Sequence, residues 1–195
     1  MRNLPCFAIV VCVSALLAAG ARPANAAVTV MGGGLAESCS KAARSASRGS
    51  IVDQQAIATC TLAIENETLS SHDRAGTYIN RGVLRLARSL YRDAKSDFDA
   101  ATNLAPMIGE AYVNRGAALI GERRYADGLV DIDKGLTLGS EEPEKAYFNR
   151  GLAHEYMDDL KSAYLDYQQA LALKPDWDQP KKELARFTLT PAAKP

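Results

Sequence analysis

Tyr78-Ile79-Asn80-Arg81-Gly82 returns as Tyr112-Val113-Asn114-Arg115-Gly116 and again as Tyr147-Phe148-Asn149-Arg150-Gly151, at offsets of 34 and 35 residues. A period of that length is the mark of a repeat array in which one supersecondary unit stacks on the next. The same offsets superpose Asp97, Asp131 and Asp166, and also Ala101, Gly135 and Ala170, so the register runs through the whole unit. Segments 74–88 and 91–104 space their apolar side chains at helical intervals and contain no internal proline, so each unit reads as a pair of amphipathic helices. Pro106 and Pro175 stop the second helix.

The pattern resembles the tetratricopeptide repeat family: a bulky residue, a glycine four on, then alanine, aromatic, alanine and a closing proline. Tyr78, Gly82, Ala94, Phe98, Ala101 and Pro106 fill it in the first unit, and Tyr147, Gly151, Ala163, Tyr167, Ala170 and Pro175 in the third. The second unit departs, with Gly128, Ile132 and Gly135 in the second helix and a proline delayed to Pro143, and is expected to pack more loosely. Residues 37–66 read as a divergent fourth unit in which Ala56, Cys60 and Ala63 overlay Ala94, Phe98 and Ala101. The resemblance implies an all-α fold, a right-handed α-solenoid of antiparallel helix pairs. The expected boundaries are a divergent hairpin at 37–66, units at 74–108, 109–143 and 144–177, and a capping helix at 178–188 whose Trp177, Leu184 and Phe187 cover unit three.

The N-terminus reads as an export signal. Arg2 precedes an apolar run from Phe7 to Ala19, shorter than the roughly 20 residues of a membrane span, and Ala24-Asn25-Ala26 is a small-x-small cleavage pattern before Ala27. The expectation is a signal peptide at 1–26, a flexible segment at 27–36, a disordered tail at 189–195, and a periplasmic or secreted product. Removing 1–26 takes Arg2 and Arg22 and no acidic residue, moving formal charge from 0 to −2. That balance offers no electrostatic footprint for nucleic acid. Cys39 and Cys60 are the two cysteines beyond the signal, an even pair in an oxidising setting. They read as a disulfide, with two buried thiols as the alternative. In the tetratricopeptide register they lie side by side in the first hairpin, where a disulfide would replace the missing aromatic contact.

Arg81, Arg115 and Arg150 stand where the family usually has an apolar residue, and each has an aspartate 16 residues later, Asp97, Asp131 and Asp166. Structural ion pairs between the two helices of a unit are expected; a ligand-binding arginine row is the alternative. The resemblance implies a partner protein or peptide on the concave face, with Asn80, Asn114 and Asn149 able to bond a peptide backbone. Neighbouring positions Ile79, Val83, Val113, Phe148, Leu152 and Tyr156, with Glu110 and Lys145 at the rim, would form a mostly apolar groove. Burial of part of that groove by the chain's own termini, or by a dimer, is the competing reading. Catalytic patterns are missing from the sequence: His154-Glu155 lacks a second histidine, His72 stands alone, and Gly32-Gly33-Gly34 has no following lysine and hydroxyl. No enzymatic activity, metal or cofactor is therefore expected, and the function indicated is an adaptor or assembly factor of the cell envelope.

Overall fold

The computed structural model describes residues 9–13, 22–30 and 34–191. Residues 1–8 and 14–21 of the expected signal peptide, Gly32 and Gly33 of the glycine run, and tail residues 192–195 lie outside the described residues. Among the described residues the fold is a row of four antiparallel helix pairs and a short cap. The pairs are α1 (Leu35–Ala46) with α2 (Gln54–Asn66), α3 (Ser71–Ala87) with α4 (Tyr91–Leu104), α5 (Gly109–Gly121) with α6 (Tyr125–Thr137), and α7 (Pro143–Tyr156) with α8 (Leu160–Leu173). The cap is α9 (Asp178–Leu184). No described helix is long and apolar enough to cross a membrane.

The turn inside each unit is built the same way. Ser89, Arg123 and Asp158 take φ of 60°, 63° and 63°. The next amide in each case donates back five residues, Leu90 to Arg85, Arg124 to Leu119 and Asp159 to His154, at 2.9, 2.8 and 2.9 Å. This left-handed cap satisfies carbonyls that the ending helix would otherwise orphan and reverses the chain in few residues. It also places the second helix antiparallel to the first at close range.

Small residues set that range. A side chain at Gly151 would run into the Tyr167 ring, with Cε1 2.7 Å from the added carbon, so Tyr167 fills the space and is fully buried. Gly82 stands in the same relation to Phe98. Unit two differs from the looser packing expected of it. A Cβ on Gly116 would lie 2.8 Å from the Gly128 carbonyl, and one on Gly135 would lie 2.8 Å from the Gly109 carbonyl. Glycines on both helices let the backbones touch, which closes the space an aromatic fills elsewhere, and Val113 and Ile132 are fully buried there.

Cys39 and Cys60 form a disulfide that joins α1 to α2. Glu67 accepts the Leu35 and Ala36 amides at 2.6 and 3.0 Å, capping the start of α1 with negative charge. At the other end Trp177 packs on Phe148, with ring centroids 5.0 Å apart, and Phe187 lies 5.6 Å from Tyr164. The cap differs from the expected helix at 178–188: α9 stops at Leu184, and the chain becomes β2 (Phe187–Pro191), antiparallel to β1 (Ile9–Val13). Residues 189–191, expected in the disordered tail, are thus paired, and β1 falls inside the expected signal peptide. The β-branched residues Ile9, Val10 and Val11 on one strand and Thr188 and Thr190 on the other favour extended backbone.

Two stability changes are expected. Replacing both Cys39 and Cys60 by alanine lowers unfolding free energy by about 3 kcal/mol, because the bond closes a loop of 21 residues in the terminal unit. Gly135→Ala, which restores the family pattern and raises helix propensity, nevertheless lowers stability by about 1–3 kcal/mol because the new methyl meets Val113 and the Gly109 carbonyl. Denaturant titration checks both.

Candidate functional site

Asn80 on α3, Asn114 on α5 and Asn149 on α7 form a row on the concave side, and each is fully buried. Buried amides need partners, and these have them in a single strand of the same chain. The Ala24 amide donates to Asn149 Oδ1 at 2.7 Å while Asn149 Nδ2 donates to the Ala24 carbonyl at 2.7 Å. Ala26 is held by Asn114 in the same way at 2.9 and 2.7 Å. Val28 is held by Asn80 at 2.9 and 2.8 Å.

Only alternate residues are gripped, because in extended backbone the N–H and C=O of one residue point to the same side and the pattern repeats every second residue. One step of about 6.6 Å along the strand is therefore matched by one repeat of the solenoid. The segment runs from unit three toward unit one, against the order of the repeats. Its far end is also fixed by Ser40, whose Oγ donates to the Val28 carbonyl at 3.0 Å. Val28 and Val30 lie against Gly76, where a Cβ would come within 3.0 Å of Val30 Cγ2.

This arrangement differs from an open apolar groove and follows the competing reading, burial by the chain's own terminus. Within the segment 27–36 it holds Val28 and Val30 in place, and residues 31–33 lie outside the described residues. Ile79, Val83, Val113 and Phe148 are 0% exposed and Leu152 is 2% exposed. They face the helix-pair interiors, where Ile79 and Val83 join Phe98, and Phe148 and Leu152 join Tyr167. Ile79, Val113 and Phe148, next to an asparagine, are rotated about 100° from it around the helix, and Val83 and Leu152, three residues on, about 60° to the same side. Tyr156 is half exposed and stacks on Tyr125 at 5.0 Å. Lys145 is buried against Glu142 at 2.7 Å, and Glu110 accepts from Ser140 Oγ at 3.0 Å in the loop that closes unit two.

The arginine row is engaged in ion pairs within the units. Arg81 Nη2 meets Asp97 at 2.7 Å, Arg115 Nε meets Asp131 at 2.6 Å and Arg150 Nη2 meets Asp166 at 2.7 Å. A second row, which sequence reasoning missed, links neighbouring units: Arg115 Nη1 to Asp99 at 3.0 Å and Arg150 Nη1 to Asp133 at 2.8 Å. Asp99 and Asp133 share the 34-residue offset, so the signal was present in the sequence. Arg81 makes the equivalent contact to Thr61 Oγ1 at 3.0 Å. Each guanidinium also lies over its unit's tyrosine, Tyr78, Tyr112 or Tyr147, at 5.4, 5.3 and 5.1 Å. Hydrogen bonds to Asp131 and Asp166 hold the Arg115 and Arg150 guanidiniums above the ordinary arginine range, against the pull of burial. Burial pushes the Asp97 carboxyl upward, against Arg81 and Arg85.

Comparison with known proteins bears on this architecture. The tetratricopeptide repeat family profile matches residues 144–177, and the array as a whole has the tetratricopeptide solenoid fold. Solved structures of similar fold include the tetratricopeptide domain of Arabidopsis OM64, with 23% identity, TM-score 0.56, and coverage of 60% of this chain and 96% of that one. The second such domain of human RPAP3, solved in complex with the HSP70 peptide SGPTIEEVD, has 22% identity and TM-score 0.53, covering 60% and 96%. MamA has 18% identity and TM-score 0.55, covering 66% and 72%. No curated protein matches the sequence significantly. Among the described residues no group of side chains is arranged to hold a metal ion.

Arg115→Met is expected to lower stability by about 3 kcal/mol, since it strands the buried Asp131 carboxylate and cuts the link to Asp99. Lys41→Met, which breaks a surface pair with Glu37, is expected to leave the unfolding midpoint unchanged. Urea unfolding of the two variants provides the comparison.

Proposed function

We propose that this protein is a peptide-binding adaptor that captures an extended segment of a partner by its backbone. The observation that carries the reading is the paired bonding of Asn149, Asn114 and Asn80 to Ala24, Ala26 and Val28. An amide that both donates to and accepts from one residue reads main chain, which every segment has, so the site selects extended shape first and side chains second. The chain's own segment stands in the place of the ligand.

Export gives this occupancy a meaning. Cleavage after Ala26 would take Ala24 and Ala26 from Asn149 and Asn114 and leave Ala27–Val30 on Asn80. Units two and three would then offer two unpaired buried amides to a segment in trans. The Cys39–Cys60 disulfide supports an oxidising compartment, in keeping with an adaptor that works in the cell envelope.

The test uses the full chain with Ala26→Pro, which removes the amide that donates to Asn114. A labelled peptide with the sequence of residues 22–30 is expected to bind this variant at least about tenfold more tightly than the unaltered chain, a free-energy difference of about 1.4 kcal/mol. Adding Asn114→Leu should abolish the gain, with helical content unchanged by circular dichroism. Equal binding to all three proteins would remove the basis for the reading.

A further inference from the structure

Beside the bound strand lies a concave cavity of about 870 Å³ whose wall includes Pro23, Ala24, Asn25 and Ala27. Five cationic side chains of the solenoid line it, Arg44, Arg48, Arg88, Lys145 and Lys174, joined by Arg22 of the strand itself, against the single carboxylate of Glu142. The chain as a whole carries no net charge, so this is a local concentration of positive charge. The cations are gathered from separate elements: Arg44 is in the last turn of α1, Arg88 caps α3, Lys145 is in the first turn of α7 and Lys174 caps α8.

Lys145 is paired with Glu142 at 2.7 Å and Lys174 with Glu144 at 3.7 Å, which leaves the arginines as the uncompensated cations. Among the described residues none of the four arginines forms an ion pair. Arg44 donates to the hydroxyls of Ser40 and Thr29, and Arg88 to the Gln54 amide oxygen. Cations gathered on a concave, low-dielectric wall reinforce one another's field and attract an anion. The segment now present supplies none. Asn25 sits between the two gripped alanines and lines the cavity, and its buried Oδ1 accepts no hydrogen bond from the described residues.

We propose that the cavity selects an acidic side chain at the position Asn25 holds. The partner segment is then extended, with small residues at the two positions facing Asn149 and Asn114 and an aspartate or glutamate between them. Aspartate has nearly the shape of asparagine, so it fits where Asn25 fits and adds the charge that the lining lacks. This inference rests on the peptide-binding reading above and adds its side-chain specificity. In the uncleaved chain the strand, with a neutral amide at the selected position, is a weak occupant that an acidic segment displaces; after cleavage the same position is open to that segment.

The experiment compares hydrogen exchange at the Ala24 and Ala26 amides in the full chain and in Asn25→Asp and Asn25→Lys, each corrected for intrinsic exchange. Protection is expected to be about tenfold higher in Asn25→Asp than in Asn25→Lys at low salt, with the difference shrinking in about 0.5 M salt. In a second arm, labelled peptides of residues 22–30 carrying aspartate or lysine at the Asn25 position are titrated against the Ala26→Pro chain, and the aspartate peptide is expected to bind about tenfold more tightly. Equal protection of the two variants, or equal affinity of the two peptides, would overturn the acidic preference while leaving backbone capture intact. Absence of protection at Ala24 and Ala26 in the unaltered chain would instead overturn the peptide-binding reading itself.

Discussion

A carboxamide on a helix can present a donor and an acceptor in the same plane, and a residue in extended backbone presents an acceptor and a donor on one side. Where these meet, two hydrogen bonds form at once and neither group remains unpaired. Asn80, Asn114 and Asn149 repeat that match three times in a fully buried row. A buried amide left unsatisfied costs about 1–3 kcal/mol, so whatever covers this row has to match its hydrogen bonds, and Ala24–Val28 does so at three positions.

Everything else in the solenoid keeps that row straight. The glycines at the centre of each helix pair fix the distance between helices within a unit. The left-handed turns at Ser89, Arg123 and Asp158 fix their antiparallel order. Ion pairs inside each unit, and the second row from Arg115 to Asp99 and from Arg150 to Asp133, fix one unit against the next. The disulfide at one end and Trp177 with Phe187 at the other close the two faces that lack a neighbouring repeat. Rigid spacing matters because the strand's period of two residues is set by covalent geometry and cannot adjust to the solenoid.

Much of this was legible in the sequence, and for stated reasons. The pentad around Asn80, Asn114 and Asn149 recurs with its aspartates, and a repeat with a conserved internal spacing specifies both the helix pairs and the Arg81–Asp97 type of contact. The neighbours Ile79, Val83, Val113, Phe148 and Leu152 were misplaced on the groove because apolar residues mark burial without saying which side of a helix buries them. The occupant was hidden for a different cause. A strand recognised through its backbone needs only small side chains, and Ala24-Asn25-Ala26 carries no pattern beyond that, so the same residues read equally well as a cleavage site. Unit two was misjudged because glycine's weak helix propensity was weighed and the closer approach it allows at Gly128 and Gly135 was not.

The central claim is that the asparagine row holds Ala24, Ala26 and Val28 as an extended strand. Nuclear Overhauser contacts from the Nδ2 protons of Asn80, Asn114 and Asn149 in the full-length chain test it most directly. The account predicts contacts to residues 28, 26 and 24 respectively, in that reversed order, with all three side-chain amides exchanging slowly. Rapidly exchanging amides with no contact to residues 24–28 would contradict it.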